Sequence, residues 1–205
     1  VITIHGQDET TAAGNGTVQE DVTLTSSGTL TTSGVASFVP ASTAGAYGDL
    51  VIAADGTWSY TLRNSDSAVQ ALGASDSKTE TFSVALSDGT SSSITINVLG
   101  TNDAALITPA LPGGDAGSVT EDSVLLTSGK LLVSDVDTGE AVFQPGTQTG
   151  TYGALTIDAA GNWSYSLNNA AANVQSLKGT DTVTETIVVK SADGTPHNIV
   201  ITIHG

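Results

Sequence analysis

Cysteine and methionine are both missing from this sequence. Without cysteine, a disulfide scaffold, a zinc–thiolate site and a thiol nucleophile are excluded, so stability has to come from packing, turns and metal ions. No apolar run approaches the roughly 18 residues of a membrane-spanning helix, and no signal peptide is visible, so we expect no membrane insertion. Residues 1–4 already alternate like the middle of a strand. The chain is therefore expected to be a fragment whose targeting signal lies elsewhere.

Basic residues are scarce, with 5 Lys and Arg against 21 Asp and Glu, for a formal net charge of −16. Nucleic acid is excluded as a partner, because phosphate contacts come from Lys and Arg. Anionic membrane surfaces are disfavoured for the same reason. Divalent cations are the expected counterpart of so many unpaired carboxylates. The alternative is that the acidic residues only keep a secreted protein soluble. The placement of the carboxylates has to distinguish cation binding from solubility.

Aromatic residues make up only 4% of the chain, whereas Gly is abundant and Thr alternates with Val or Ile in many places. This composition suits half-buried strands and disfavours long helices. Only residues 68–72 and 171–177 look briefly helical. The fold class is therefore predicted to be all-β, and a chain of 205 residues has room for two domains of about 100 residues each.

An internal repeat settles the predicted architecture. The segment GTVQED at 16–21 returns as GSVTED at 117–122, an offset of 101, and GTWSYTL at 56–62 returns as GNWSYSL at 161–167, an offset of 105. The segment VITIHG occurs both at 1–6 and at 200–205. We therefore predict a first repeat over 1–100, in which 1–6 equals the last strand of a preceding repeat, a linker over 101–116, and a second repeat over 117–205.

Each repeat reads as short strands separated by turn signals. Apolar residues alternate on both sides of the Asp-Gly pairs at 55–56 and 88–89, which predicts two β-hairpins in the first repeat. About seven such strands per repeat predict a β-sandwich. Trp58 and Tyr60, with their counterparts Trp163 and Tyr165, alternate in register with Leu, so we assign them to the core rather than to a sugar-stacking platform.

The ordered motifs resemble the VCBS repeat family of bacterial surface proteins. They are GSVTED at 117–122, SDVDTGE at 134–140, GTYG at 150–153, GNWSY at 161–165 and, in the linker, GTNDA at 100–104. The resemblance covers nearly the whole chain. It implies cadherin- or immunoglobulin-like sandwiches strung in arrays within large RTX-type adhesins, which leave the cell by type I secretion and serve attachment and biofilm formation. The first repeat departs from the pattern, with only SGVAS at 33–37 where the second has SDVDTGE.

Oxygen-rich side chains are expected to meet where the two repeats join. Asp135 and Asp137 follow the second strand of the second repeat, and the linker residues Asn102 and Asp103 are predicted to pass the same end. Ca²⁺ takes six to eight oxygen ligands, so several segments have to contribute. The predicted calcium ligands are Glu20, Asn102, Asp103, Asp135 and Asp137, with Asp21, Asp76 and Glu140 as reserves. The alternative for any single Asp is a turn former or a solvated charge.

Two further expectations follow for the neighbouring junctions. Because the first repeat lacks an Asp-x-Asp loop, a junction at residues 7–9, QDE, is expected to bind calcium weakly or not at all. Glu121 and Asp122 would serve a following junction.

Three function classes remain to be compared. A spacer that is stiffened by Ca²⁺ and partnered by neighbouring repeats of its own chain is favoured, and weak homotypic contacts between arrays are compatible with it. A carbohydrate-binding module on an immunoglobulin-like fold is the alternative, since fold alone does not fix function. An enzyme is not expected, because His5, His197 and His204 have no Ser or carboxylate at a spacing typical of a triad and are interpreted as solvated.

Overall fold

The chain divides between Asn102 and Asp103 into two units, which we call unit 1 and unit 2. The computed structural model describes residues 11–205. The predicted strand at 1–6 and the expected weak junction at 7–9 lie outside the described residues.

Unit 1 is built from two facing β-sheets. Its seven described strands are β1 (Gly14–Gln19), β2 (Thr25–Thr29), β3 (Ala41–Ala44), β4 (Gly48–Ile52), β5 (Thr57–Leu62), β6 (Ser77–Ala85) and β7 (Ser91–Leu99). One sheet has the order β1, β7, β6 and the other the order β2, β5, β4, β3. A single helical turn, α1 (Ser67–Gln70), joins β5 to β6.

Unit 2 repeats this plan, and eight strands are described in it. Its strands are β8 (Leu106–Pro109), β9 (Ala116–Thr120), β10 (Leu126–Ser134), β11 (Gly146–Thr149), β12 (Gly153–Ile157), β13 (Asn162–Leu167), β14 (Thr182–Lys190) and β15 (Pro196–His204), with α2 (Ala172–Gln175) between β13 and β14. The sheets have the orders β14, β15, β9 and β11, β12, β13, β10, β8. The predicted all-β sandwich fold and the two brief helical segments are confirmed.

The first strand of each repeat pairs in parallel with the last. β1 runs beside β7, with Gly14 opposite Ile94, and β9 runs beside β15, with Ala116 opposite Val200. The other strand pairs of the described chain are antiparallel, and this arrangement lets short turns join β4 to β5, β6 to β7 and β14 to β15. The parallel pairing brings the first and last strands of each repeat side by side in one sheet.

Both predicted hairpins of unit 1 are present, β4–β5 and β6–β7. Gly56 and Gly89 have φ of 84° and 88°, a left-handed conformation that glycine adopts without strain. The preceding aspartates cap the turns: Asp55 Oδ1 accepts from the Thr57 amide at 2.9 Å, and Asp88 Oδ1 accepts from the Thr90 amide at the same distance.

Each unit has its own hydrophobic core between its two sheets. Trp58 and Trp163 are buried, and Tyr60 and Tyr165 are completely so, which confirms the core assignment. The tyrosine hydroxyls donate hydrogen bonds to buried carboxylates, which the sequence did not predict. Tyr60 donates to Glu80 and Tyr165 to Glu185, the latter at 2.7 Å.

Unit 2 departs from the predicted linker before β10 and differs from unit 1 after β10. Residues 101–116, expected to be a linker, contain β8, which pairs with the second half of β10 from Leu131 to Ser134. After β10, unit 2 needs 13 residues to pass from buried Leu131 to buried Phe143, whereas unit 1 passes from Leu30 to Phe38 in nine. The additional four residues form the acidic loop described next.

Candidate functional site

The loop after β10 is folded by its own carboxylates. The Asp137 amide donates to Asp135 Oδ1 at 2.9 Å, and the Glu140 amide donates to the Asp137 carbonyl at 3.3 Å. Aspartate side chains commonly bond the backbone two residues onward, so an Asp-x-Asp sequence favours this tight loop. The result is that Asp135, Asp137 and Glu140 stand in one short loop at the end of β10.

Asp103 is brought to this loop at the start of unit 2. Its amide donates to Asp137 Oδ2 at 2.9 Å. Two residues later, the Ala105 amide donates to Asp193 Oδ2 at 3.3 Å. The first residues of unit 2 are thus held on one side by the acidic loop and on the other by the β14–β15 turn. Within unit 2 the structure therefore brings together three of the predicted ligand residues, Asp103, Asp135 and Asp137.

Two buried carboxylate oxygens of the loop lack a hydrogen bond. Asp137 is only 2% exposed, and its Oδ1 has no hydrogen-bond partner, nor does the buried Oδ2 of Asp135. Neither residue forms an ion pair within residues 11–205. A buried carboxylate oxygen without a donor is strongly unfavourable, and native proteins almost always compensate it. Hard carboxylate oxygens at a backbone turn are the ligands that Ca²⁺ prefers, so this donor set fits calcium.

In unit 1, Glu20 lies in the turn between β1 and β2 and is fully buried. Its Oε1 accepts from Gln70 Nε2 at 2.7 Å, and its Oε2 accepts from the Thr101 amide at 3.4 Å. The Thr101 hydroxyl donates to the Glu20 carbonyl at 2.7 Å. Glu20 is therefore fixed against the last residues of unit 1, immediately before Asn102.

The reserve residues of unit 1 use their carboxylates locally. Asp21 has φ of 55°, and its Oδ1 accepts from Asn64 Nδ2 at 2.5 Å while its amide donates to Asn64 Oδ1 at 3.0 Å. Asp76 Oδ2 accepts from the Gly73 amide at 3.2 Å, and the Asp76 carbonyl accepts from the Gly100 amide at 3.1 Å. Both residues shape the end of unit 1 from which the chain continues, and Asn102 itself is exposed.

The same turn device recurs in unit 2 at Glu121 and Asp122. Asp122 has φ of 56° and accepts from Asn169 Nδ2 at 2.7 Å. Glu121, however, is half-buried where Glu20 is fully buried. The pair of repeated positions thus provides a matched comparison for any role assigned to Glu20.

Asp193 is a residue of this region that sequence reasoning missed. Burial raises the pKa of Asp193, but hydrogen bonds from Ser191, Thr195 and the Ala105 amide outweigh that effect and hold the pKa below its usual range. The Asp-Gly-Thr motif at 193–195 was visible and marks the hairpin turn, but its second contact, with Ala105, is long-range and left no local signal.

Two histidines differ from the expectation that they are solvated. His197 lies in β15, is 21% exposed, and places Nε2 3.5 Å from Asp115 Oδ2. His204 lies between two hydroxyls, with Nε2 3.2 Å from Ser118 Oγ and Nδ1 3.3 Å from Thr182 Oγ1. The histidines therefore contribute to sheet side-chain contacts, and His5 lies outside the described residues.

Comparisons with known proteins concern the fold of the chain. Residues 107–205 match the sequence model of a family described as a bacterial cadherin-like domain. No curated protein matches the chain in sequence.

Solved structures of similar fold include cadherins. Mouse cadherin-23 EC22-24 aligns with a TM-score of 0.50 and 15% identity over 96% of this chain and 66% of that one. Drosophila N-cadherin EC1-4 gives 0.48 and 14% over 94% and 47%, and protocadherin gamma B2 extracellular cadherin domains 3-6 give 0.47 and 14% over 96% and 46%. The chain thus spans about half to two thirds of these structures, and at such identity the likeness concerns the fold alone.

Proposed function

We propose, from the premise of a cadherin-like β-sandwich fold, that this chain is a pair of spacer modules in an extracellular adhesion protein. Cadherin-like domains are extracellular and generally not enzymes. None of the described helices is long and apolar enough to cross a membrane. The narrower setting in this proposal is a VCBS-type bacterial adhesin, released by type I secretion and serving attachment and biofilm formation. Its support is the ordered set of sequence motifs, GSVTED and SDVDTGE among them.

The second part of the proposal is that Ca²⁺ binds where the chain passes from unit 1 to unit 2. The observation that carries it is the buried Asp137, whose Oδ1 has no hydrogen bond, next to the similarly placed Oδ2 of Asp135. Glu20 supports it from unit 1, since two hydrogen bonds hold it against Thr101, the residue that precedes Asn102. The proposed ligands are Glu20, Asn102, Asp103, Asp135 and Asp137, with Glu140, Asp21 and Asp76 as secondary positions.

Electrostatics explains what the ion would supply. The protein carries a net charge of −16, and carboxylates gathered at a linker repel one another. Bound Ca²⁺ replaces that repulsion by attraction to both sides of the linker, which restricts its motion. The residues of the chain do the remaining work: the Asp103 amide orients the Asp137 carboxylate, and the Asp137 amide orients that of Asp135.

A calcium titration of the melting temperature tests this proposal. A ligand at about 100 times its Kd adds about 2.7 kcal/mol to stability. For a domain of about 100 residues this corresponds to a rise in Tm of roughly 10 °C or more. We expect millimolar CaCl₂ to raise Tm relative to the chelated protein, and Asp137→Asn to remove most of that rise.

Asp158→Asn is the matched control, because it removes one carboxylate of unit 2 from an exposed turn, where the side-chain oxygen of Asn can still accept from the Asn162 amide. Its calcium-dependent rise in Tm should equal that of the unmodified protein. An identical Tm with calcium and with chelator would overturn the calcium site, and a loss of the rise in both variants would reduce it to a general charge effect.

A further inference from the structure

The two units differ at a second place, the turn between the third and fourth strands of each repeat. In unit 1 this turn is closed by Arg63. Its Nη2 donates to the carbonyls of Gly45 and Ala46 at 2.9 and 3.1 Å, its Nη1 bonds Asp49 at 2.7 Å and its Nε bonds Asp66 at 2.8 Å. The guanidinium therefore fills the space beside the turn.

Unit 2 keeps the same backbone at this turn. The Asn168 amide donates to the Tyr152 carbonyl at 2.8 Å, as the Arg63 amide does to the Tyr47 carbonyl at 2.9 Å. The Ala171 amide donates to the Asn168 carbonyl at 2.9 Å, as its counterpart does in unit 1. The frame is conserved between the repeats, so differences at this turn come from side chains alone.

All three charged residues of the unit 1 network are replaced in unit 2. Asn168 stands at the position of Arg63, Ala154 at that of Asp49 and Ala171 at that of Asp66. Removing the guanidinium and both of its carboxylate partners leaves a neutral opening.

Two adjoining cavities flank the turn in unit 2. One, of about 420 Å³, is lined among others by Ala154, Ser166 and Asn168, and the other, of about 480 Å³, by Tyr152, Thr184 and Thr186. They share the wall formed by residues 149–151. We call these two cavities and their shared wall the unit 2 groove.

The lining of the groove has the chemistry of a sugar site. Its exposed polar groups are neutral donors and acceptors: threonine and serine hydroxyls and the side-chain amide of Asn168, which makes no hydrogen bond within the described chain. Tyr152 supplies a half-buried ring. The one acid, Glu185, is 7% exposed and already accepts from Tyr165 and the turn amides of Thr151 and Tyr152.

We propose that the unit 2 groove binds a neutral sugar residue of a glycan, and that Arg63 closes the equivalent groove in unit 1. A pyranose presents adjacent hydroxyls that both donate and accept, which matches an amide and hydroxyls on a rigid turn. An anionic sugar is disfavoured by Glu185 and by the net charge of the chain. A cationic ligand is disfavoured because unit 2 has lost both aspartates that hold the guanidinium in unit 1. An open, shallow groove predicts weak binding, with Kd of about 1 mM.

Exchanging the three residues between the units tests the assignment in the full-length chain. The first variant, Ala154→Asp with Asn168→Arg and Ala171→Asp, gives unit 2 the network of unit 1. The second variant, Asp49→Ala with Arg63→Asn and Asp66→Ala, opens unit 1. The probes are the methyl glycosides of glucose, galactose, mannose and N-acetylglucosamine, with glucuronate and arginine amide as charged comparators. Saturation-transfer NMR measures binding, and amide chemical shifts identify the site.

We expect at least one neutral glycoside to bind the unmodified protein saturably, shifting the amides of Thr151 and Asn168. The first variant should lose this binding at least tenfold while unfolding at an equal or higher Tm, and the second should gain shifts at Ala46 and position 63. Binding of arginine amide or glucuronate alone, no binding by any probe, or binding unaffected by the first exchange would each overturn the proposal. Its failure leaves the calcium titration untouched, so the two proposals are separable.

Discussion

At the scale of single residues, the buried glutamates Glu80 and Glu185 hold turns in place, and the sequence did not predict this role. Each lies on an edge strand, points inward, and accepts hydrogen bonds from a tyrosine hydroxyl and from two amides of a neighbouring turn. A buried carboxylate is tolerated only when donors satisfy it. An inward-pointing charge on an edge strand also opposes pairing with a further strand, so each glutamate fixes a turn and protects an edge.

Tyr165→Phe tests the donor side of this arrangement. Burial and Glu185 raise the pKa of Tyr165 well above its usual range, so its hydroxyl stays protonated and donates. Removing it leaves one oxygen of a buried carboxylate without a donor, and we expect the free energy of unfolding to fall by about 1–3 kcal/mol in urea denaturation. Tyr152 is half-buried, and its hydroxyl makes no hydrogen bond in the described chain. Tyr152→Phe should therefore change the free energy of unfolding by less than about 0.5 kcal/mol. Equal effects of the two variants would contradict this role.

Asp193 gives unit 2 a specific acid sensitivity. Its pKa is lowered in the folded protein from the usual 3.8, so its contribution to stability is complete above about pH 4 and is lost as the pH falls toward its folded pKa. We expect the stability difference between the unmodified protein and Asp193→Asn, measured in urea, to shrink as the pH falls from 5 to 2. Ser191→Ala removes one of the donors that lower the pKa. In that variant the folded pKa is higher while the unfolded pKa is unchanged, so the loss should be smaller and should level off at a higher pH. A stability difference independent of pH would refute the assignment.

At the scale of elements, local signals predicted the structure well and long-range contacts did not. The Asp-Gly turns, the alternating strands and the core positions of Trp58 and Tyr60 could be read directly, because turn chemistry and period-two burial are properties of adjacent residues. Strand β8 was assigned to a linker, because four residues ending in Pro109 carry little pattern of their own. It forms a strand only by pairing with the extended half of β10.

The candidate site shows the same limit. The Asp-x-Asp loop was found because its ligands are two residues apart. The link from Asp193 to Ala105 spans most of unit 2 and the burial of Glu185 depends on a turn 33 residues away, so neither has a sequence period. The groove of unit 2 could not be predicted from the sequence for a related reason. The replacement of Arg63 by Asn168 in the second repeat points to an opening only once the four bonds of Arg63 are known.

The hairpin glycines allow a matched test of turn geometry. Gly161 and Gly194 both have positive φ, 81° and 92°, so a side chain at either is strained by about 1–2 kcal/mol. A Cβ at Gly161 would lie 2.3 Å from the Leu131 carbonyl oxygen, whereas a Cβ at Gly194 meets nothing within 4 Å. We therefore expect Gly161→Ala to lower the free energy of unfolding clearly more than Gly194→Ala. If the two variants lose similar free energies of unfolding in urea denaturation, backbone strain alone accounts for the loss and the contact with Leu131 does not contribute.

At the scale of the whole molecule, the chain combines two repeats that share one backbone fold but differ in their side chains. Unit 2 has the acidic loop and the open groove, whereas unit 1 has the shorter connection and the Arg63 network. Glu20 and Glu121 occupy the same position of the frame, but only Glu20 precedes a unit present in this chain. If Ca²⁺ acts at the linker, substitutions at these two equivalent residues have to give different results.

Small-angle scattering with calcium and with chelator provides that comparison. We expect calcium to narrow the distribution of interatomic distances of the unmodified protein, since a bound ion restricts the linker. Glu20→Gln removes one charged ligand and should raise the calcium concentration at half-effect about tenfold, equivalent to about 1.4 kcal/mol. Glu121→Gln removes the same charge from the same turn and should leave that concentration unchanged. Mg²⁺ at equal concentration, which demands smaller and more regular coordination, should not reproduce the effect. If both glutamine variants shift the midpoint equally, the ion acts on the overall charge of the chain and the linker has no specific site.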